Sequence, residues 1–264
     1  SQKVIQENFE TLSNYFYDNE SHLQPTRTET TNSKLEVLKI EIKYAGDVND
    51  TRLISENRVA IPLNQKSYKG TAEISEQNTI YRDFNGIYLP EIIQTSKGSQ
   101  PLEDRVIYHD YDDKGNPIEF SKKDGTKIYY VWGYEQTQPI AKIEGYTATD
   151  LANTNSLINA AVIASNSDND RCLDSEICDE KELRNALNTL RNSLPNAQVT
   201  TFTYDPLIGV TSITDPRGET IYYSYDFFNR LQFVKDKDGN IIAKMFQNPK
   251  TKLTYWATID SDGS

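Results

Sequence analysis

The sequence predicts a mainly β fold, a curved antiparallel sheet of successive β-hairpins with an inserted α-helical hairpin. Two observations predict it. A 21-residue unit that opens on an aromatic residue recurs along the chain, and one stretch between two units changes to a helical period. The predicted segments are a hairpin strip over residues 1–146, a helical hairpin over 147–198, and further hairpins with the C-terminal tail over 199–264.

Three copies of the unit align without gaps. They open at Tyr111, Tyr204 and Tyr225, and the next opening aromatic follows 21 residues later, at Trp132, Tyr225 and Phe246. Each copy has a glycine fourteen residues after its opening tyrosine and an isoleucine seventeen residues after it: Gly125, Gly218 and Gly239; Ile128, Ile221 and Ile242. These fixed offsets predict that each copy folds into the same structural element.

Each unit has two predicted turns. The glycine supplies the positive φ of a tight reversal, and β-branched or aromatic residues flank it, so a β-hairpin is predicted there. At the other turn, the aspartate after the opening tyrosine can accept backbone hydrogen bonds in an Asx turn while the tyrosine packs beneath it. These aspartates are Asp112, Asp205 and Asp226.

Two longer units are predicted towards the N-terminus. Their tyrosines are 27 residues apart: Tyr17 and Tyr44, then Tyr81 and Tyr108. Turn-like residues stand inside both, Ser33 with Lys34 in the first and Lys97 with Gly98 in the second. We interpret them as the same unit with longer strands or a longer loop.

The unit that opens at Trp132 is about 51 residues longer than the others, and the extra residues fall at its hairpin turn, beside Gly145. Within them, four leucines lie on one helical face: Leu183, Leu187, Leu190 and Leu194. Asp179 with Glu182 resembles a capping box that would begin this helix, and Pro195 would end it.

A second helix is predicted over about residues 149–164, with Thr147 or Thr149 as its N-cap. Two roles are open for this helical hairpin. It covers a face or edge of the sheet, or it is a dedicated binding module.

Composition excludes two classes of partner. The 264 residues carry 28 Lys and Arg against 39 Asp and Glu, a net charge of −11, whereas nucleic-acid binding needs clustered positive charge. No apolar run reaches the length of a membrane span. The chain has 17 Tyr but 1 Met and 2 Cys, and tyrosine suits half-buried strand positions.

The predicted link between the helices contains both cysteines, Cys172 and Cys178. In a secreted protein they could form a disulfide, and two cysteines fall short of the four ligands of a structural zinc site. The same link carries six carboxylates: Asp168, Asp170, Asp174, Glu176, Asp179 and Glu180. Their spacing fails the EF-hand pattern, since Leu173 replaces its glycine, so a solvated acidic loop is predicted instead of a calcium site.

No catalytic, cofactor-binding or metal-binding residue is predicted, and no cofactor. The two histidines are His22 and His109. His109 precedes Asp110, but neighbouring residues of a strand point to opposite faces, so the pair would not converge on one ion. Motifs of hydrolases, metalloproteases, P-loop proteins and Rossmann folds are absent. We therefore expect the chain not to be an enzyme.

The aromatic rows allow two interpretations. They could stack on sugar rings as a carbohydrate-binding surface, or they could form the cross-strand ladder of the sheet itself. The fixed repeat spacing favours the ladder.

The segments YDDKGNPIEFSKKDGTKIYYVWGY and YDPLIGVTSITDPRGETIYYSYDFFNRLQFVKDKDGN closely resemble the bacterial RHS proteins, also called YD-repeat proteins. The similarity is specific over about residues 105–145 and 200–246 and weaker elsewhere. This chain departs from the YDxxGR pattern at Ile208 and Asn229, where a glycine is usual, and Trp132-Gly133 and Phe246-Gln247 replace YD.

The resemblance implies a strip of hairpins that spirals into a shell, as in toxin-complex B and C components, where the shell encloses a toxin, and in teneurins, where a similar barrel serves adhesion. It implies a structural or interaction module of a larger secreted or cell-surface protein. Its partners would be the rest of that protein or an encapsulated effector. The alternative is an adhesin or carbohydrate-binding module whose partner is a surface protein or glycan.

Overall fold

The computed structural model describes residues 2–6, 9–32, 34–170, 178–247 and 254–258. The chain divides into two compact units, Ser1–Gly125 and Thr126–Ser264. The prediction of a mainly β fold, made of successive antiparallel hairpins with an inserted helical hairpin, is confirmed. The three segments predicted from the sequence remain a prediction.

The first unit is a run of strands in which each pairs antiparallel with the next along the chain. Its elements are β1 (Gln2–Gln6), β2 (Phe9–Phe16), β3 (Arg27–Thr31), β4 (Val37–Lys43), α1 (Ala45–Val48), α2 (Thr51–Ser55), β5 (Asn64–Lys69), β6 (Ala72–Phe84), β7 (Ile87–Lys97), β8 (Glu103–Tyr111) and β9 (Pro117–Lys122). A small core of Ala45, Leu53 and Leu63 lies where α1 and α2 meet the strands.

The second unit repeats this antiparallel order around the helical hairpin. Its elements are β10 (Lys127–Gly133), β11 (Gln138–Glu144), α3 (Ala148–Ser167), α4 (Asp179–Asn192), β12 (Gln198–Asp205), β13 (Gly209–Thr214), β14 (Thr220–Tyr225), β15 (Leu231–Lys235), β16 (Ile241–Gln247) and β17 (Thr254–Thr258).

The predicted turns are present. Gly125, Gly218 and Gly239 all have positive φ, and each donates its N–H to a carbonyl three residues earlier. In the longer units, Gly98 has a positive φ in the turn between β7 and β8, and Asn32 starts the turn between β3 and β4. Ser33 lies outside the described residues. Tyr108 lies inside β8, so the second of these units extends from Tyr81 to Tyr111 and not to Tyr108.

The insertion replaces the turn between β11 and β12, as predicted, since Glu144 pairs directly with Gln198. The α3 helix begins with Thr147 as its N-cap in a capping box with Asp150. The α4 helix starts at Asp179, but its N-cap is Cys178, whose sulfur accepts the N–H of Lys181. The predicted capping box of Asp179 and Glu182 is therefore wrong by one residue.

The helical hairpin covers one face of the sheet. The four predicted leucines of α4 and its C-terminal turn are 0–3% exposed and pack with strand residues that include Ile140, Ile143 and Val199. Burial of such side chains stabilises each by about 1.5–3 kcal/mol relative to exposure. The apolar face of α4 thus forms a large part of the hydrophobic core of the second unit.

Candidate functional site

The opening tyrosines of the repeat are joined to the strand that precedes each of them. Their hydroxyl groups donate to backbone carbonyls: Tyr111 to Pro90 (2.8 Å), Tyr204 to Pro139 (3.0 Å) and Tyr225 to Val210 (2.8 Å). Each acceptor is the residue paired with the preceding opening aromatic, Tyr81, Trp132 or Tyr204. We call these bonds the tyrosine latches. Burial raises the pKa of Tyr204 to about 12, so its hydroxyl remains a donor at neutral pH.

A β-bulge accompanies each latch. The strand register shifts immediately before five of the opening aromatics, between Ile80 and Tyr81, Asp110 and Tyr111, Val131 and Trp132, Thr203 and Tyr204, and Ser224 and Tyr225. Phe246 pairs with Tyr255 without such a shift. A bulge bends a strand and increases its twist. The repeat therefore encodes both the latch and the curvature of each sheet.

The aspartates that follow the opening tyrosines form Asx turns. Asp112 Oδ1 accepts the N–H groups of Lys114 and Asn116, and Asp226 Oδ1 accepts those of Phe228 and Arg230. Asp205 Oδ1 accepts the N–H of Leu207. The opposite turns use the same chemistry at Asp215 and Asp236, which the glycine signal alone did not predict.

Two glycines close to the opening aromatics are required sterically. A Cβ on Gly133 would lie 2.2 Å from Ser165 Oγ of α3 and 2.8 Å from Ile140, so the helical hairpin excludes the aspartate of YD here. A Cβ on Gly209 would lie 2.7 Å from the Tyr225 hydroxyl. The latch of the following unit therefore needs glycine at 209, one position after Ile208.

Large apolar side chains are exposed at two turns of the second unit. Leu207, between β12 and β13, is 95% exposed, and Phe227 and Phe228, between β14 and β15, are 94% and 73% exposed. These turns lie at the same end of the strands, and they are separated by two strand spacings, or about 10 Å. We call this edge, with Leu207, Phe227 and Phe228, the YD edge, and it is the candidate interaction site.

Many other aromatics lie against one another within the sheet. Ring centroids are 4.8 Å apart for Phe84 of β6 and Tyr111 of β8, 5.6 Å for the paired residues Tyr108 and Phe120, and 5.8 Å for Tyr134 and Tyr204. These are distances at which aromatic rings interact. They agree with the ladder interpretation for these residues, whereas Phe227 and Phe228 stand outside it.

A buried polar network joins α4 to the strands below. Glu180 is 1% exposed, accepts the hydroxyls of Thr203 and Thr211 at 2.7 Å, and pairs with Arg184 at 2.9 Å. Its carboxylate is enclosed by side chains. The prediction of a solvated acidic loop is wrong for Glu180, because an ion pair and two hydroxyls compensate its burial.

A second buried contact joins the end of α3 to the turn between β10 and β11. The Tyr134 hydroxyl donates to Asp168 Oδ2 at 2.6 Å and accepts the N–H of Tyr204 at 2.9 Å. Asp168 is 8% exposed, so the prediction of a solvated loop is wrong for it too. This contact could not be predicted from the sequence, because Asp168 and Tyr204 lie 34 and 70 residues after Tyr134 along the chain.

Two other carboxylates of the link lie in the described residues, Asp170 and Asp179. Asp170 accepts the N–H groups of Asp179 and Glu180 at the start of α4, which favours a negative charge there. Asp174 and Glu176 lie outside the described residues. Within the ranges that the structure describes, no group of three or more His, Cys, Asp or Glu could hold a metal ion.

Both histidines make polar contacts in the structure. His22 is buried; its Nδ1 faces the N–H of Gln24 at 3.1 Å and its Nε2 faces Asp47 at 3.2 Å. Each ring nitrogen of His22 therefore has a polar neighbour. His109 Nε2 contacts Ser121 Oγ across the strands at 2.9 Å, and no described contact joins it to Asp110.

Cys178 is disulfide-bonded, and Cys172 lies outside the described residues. No described helix is long and apolar enough to cross a bilayer.

No family model and no curated protein matches the chain. It resembles the solved structure of TcdB2-TccC3-Cdc42 with 9% sequence identity and a TM-score of 0.36, over 87% of this chain and 13% of that chain. It resembles TcdB2-TccC3 without its hypervariable C-terminal region with 10% identity and a TM-score of 0.37, over 94% of this chain and 14% of that chain. For a Photorhabdus luminescens Tc holotoxin pore, the identity is 9% and the TM-score 0.34, over 91% of this chain and 14% of that chain. The chain thus spans 13–14% of the length of these proteins.

Proposed function

We propose that the chain is a non-catalytic structural and interaction module of a larger secreted or cell-surface RHS/YD-repeat protein. It forms part of a β-shell or scaffold associated with a toxin or effector. The observation that carries this proposal is the tyrosine latch. The same bond, with the same bulge, recurs at Tyr111, Tyr204 and Tyr225 and ties each unit to the previous strand.

A latched strip suits a scaffold for a physical reason. Hairpins alone are marginal in water, and cross-strand contacts between consecutive units are what make an extended sheet stable. The polar groups buried in the described residues serve this packing: Glu180 and Arg184 pair beneath α4, and His22 is engaged at both nitrogens. These contacts fit a structural role better than a reaction.

The YD edge supplies the interaction part of the proposal. Leu207, Phe227 and Phe228 expose most of their apolar surface to water, and covering such residues favours association. The partner would be another part of the parent protein or the enclosed effector. The disulfide at Cys178 supports a secreted or surface location, since disulfides persist in oxidising compartments.

Photocrosslinking tests this function in the full-length product of the gene. A benzophenone amino acid placed at Phe227 on the YD edge, with a matched copy at Lys237 on the opposite edge, is irradiated in the protein purified from its host. We expect the probe at Phe227 to crosslink to polypeptide outside residues 1–264 and the probe at Lys237 to do so far less. No such crosslink from either position would refute the scaffold.

A second candidate function is an adhesin or carbohydrate-binding module. It is favoured by the two adjacent exposed phenyl rings, whose centroids are 5.7 Å apart, because flat aromatic faces can stack on sugars. A glycan array tests it with the chain and a Phe227→Ala/Phe228→Ala variant. Glycan signals that the variant loses would support this function, and an array without hits would exclude it.

A further inference from the structure

Asp168 is a buried carboxyl group in an environment that disfavours its charge. It stands at the C-cap of α3, where the helix dipole is negative. One oxygen, Oδ2, accepts the hydroxyl of Tyr134, whereas Oδ1 is buried without a hydrogen-bond partner. A proton on Oδ1 would remove the buried charge and leave the bond from Tyr134 in place.

The groups around Asp168 on each packed element are known. The turn between β10 and β11 contributes Tyr134, and β12 contributes the N–H of Tyr204 that binds the Tyr134 hydroxyl. The start of α4 contributes Glu180, whose charge is paired with Arg184, and the link contributes Asp170. The nearest charges are thus carboxylates, and the one cation among these groups already has a carboxylate partner.

Burial raises the pKa of the Asp168 carboxyl to about 6. The hydrogen bonds from the Tyr134 hydroxyl and the Asp170 backbone N–H oppose this rise, and the charges of Glu180 and Asp170 add to it. The ordinary value is 3.8. Since the folded state binds this proton more tightly than the unfolded chain, the stabilisation is fully present below pH 3.8 and is lost as the pH rises through about 6.

The charge of Asp168 affects how the helical hairpin is held, because Asp168 is the C-cap of α3 and its partner Tyr134 lies in the turn between β10 and β11. Two further bonds hold the same helix end to the same turn: Tyr134 N–H to Ser165 Oγ and Glu135 N–H to Asn166 Oδ1. We propose that protonation of Asp168 strengthens the docking of α3 and α4 on the sheet, so that the helical hairpin is held more firmly in mildly acidic than in neutral solution.

Hydrogen exchange of the α3 and α4 amides tests this proposal in the intact chain, after correction for the intrinsic exchange rate. The two pKa values predict an opening equilibrium about tenfold less populated near pH 5 than near pH 7.5. In an Asp168→Asn variant, which cannot ionise, we expect this difference to disappear. Equal protection of the native chain at both pH values, or a variant that keeps the native pH dependence, would overturn the proposal.

The matched control is Asp150→Asn at the other end of α3. Hydrogen bonds from Thr147 lower the pKa of Asp150, so it does not titrate in this range. We expect this variant to lose protection at both pH values but to keep the tenfold difference, and loss of that difference here would count against Asp168 as its source.

A third variant keeps the test decisive if Asp168→Asn loosens the helices. Tyr134→Phe removes the hydroxyl that favours the charged form of Asp168. The midpoint of the pH dependence should then move to higher pH, and an unchanged midpoint would overturn the proposal.

Discussion

The part of the second unit beneath the helical hairpin and the bare hairpins that follow it share their turn chemistry but differ in their cores. Leu183, Leu187 and Leu190 of α4 are fully buried over β10–β12. Between residues 215 and 245 one hydrophobic residue is buried, Tyr222. The repeat therefore fixes where the chain turns and how strands register, and the inserted helices supply most of the apolar burial.

The largest expected effect tests this difference directly. Leu187→Ala should cost about 2–5 kcal/mol, because it leaves a cavity in a closely packed core. The matched truncation Leu231→Ala in β15, at a half-buried position, should cost clearly less. Urea unfolding followed by circular dichroism measures both, and equal losses would show that the bare hairpins have a core of their own.

The next effect concerns the fit between the two regions. Gly133→Ala should cost about 1–3 kcal/mol from overpacking, since the new Cβ meets Ser165 Oγ and Ile140. Adding Ser165→Gly should recover part of the loss, and Ser165→Gly alone is the control. The temperature of half-unfolding reports the result; a double variant no more stable than Gly133→Ala would contradict this packing.

A smaller effect is expected from the latches. Tyr111→Phe removes a hydroxyl bonded to the Pro90 carbonyl in a buried setting and should cost about 1 kcal/mol. The control Tyr17→Phe, at a residue 56% exposed, should be close to neutral. Chemical denaturation compares them, and a neutral Tyr111→Phe would mean that the latch adds nothing to stability.

The smallest effect is expected at an exposed turn of the bare hairpins. Asp226→Asn keeps the oxygen that accepts two N–H groups but loses the ion pair with Arg230, whose hydrogen bonds lower the pKa of Asp226. The native chain should have a slightly larger free energy of unfolding than the variant above pH 3.8. This difference should vanish as the pH falls through the lowered pKa of Asp226 in the folded state. Parallel pH titrations of stability measure it; an advantage that persists in acid would point to another cause.

Features that depend on neighbouring residues were predictable from the sequence. The glycine turns, the Asx turns at Asp112 and Asp226, the site of the insertion and the leucine face of α4 all follow from spacings of a few residues. The N-cap of α4 was misplaced by one residue, because Cys178 competes with Asp179 for the same role.

Features that depend on distant contacts were not predictable. The acceptors of the tyrosine latches lie 15 to 65 residues away from their donors. The burial of Asp168 and Glu180 arises only when the helical hairpin meets the strands. The short α1 and α2 helices were missed as well, since four or five residues are too few to show a helical period. The aromatic residues of the YD edge could be identified in the sequence, but their exposure to solvent could not be predicted from it.

The one-sided placement of the latches has a consequence for how such a chain can change. In the second unit, both latches lie near the turns of the YD edge, so the opposite turns are free of these bonds. One opposite turn already accommodates a helical hairpin between paired strands, Glu144 and Gln198. Insertions should therefore be tolerated at the turns around Arg217 and Asp238. The side of the sheet opposite the YD edge is thus the natural place to graft a peptide or evolve a loop.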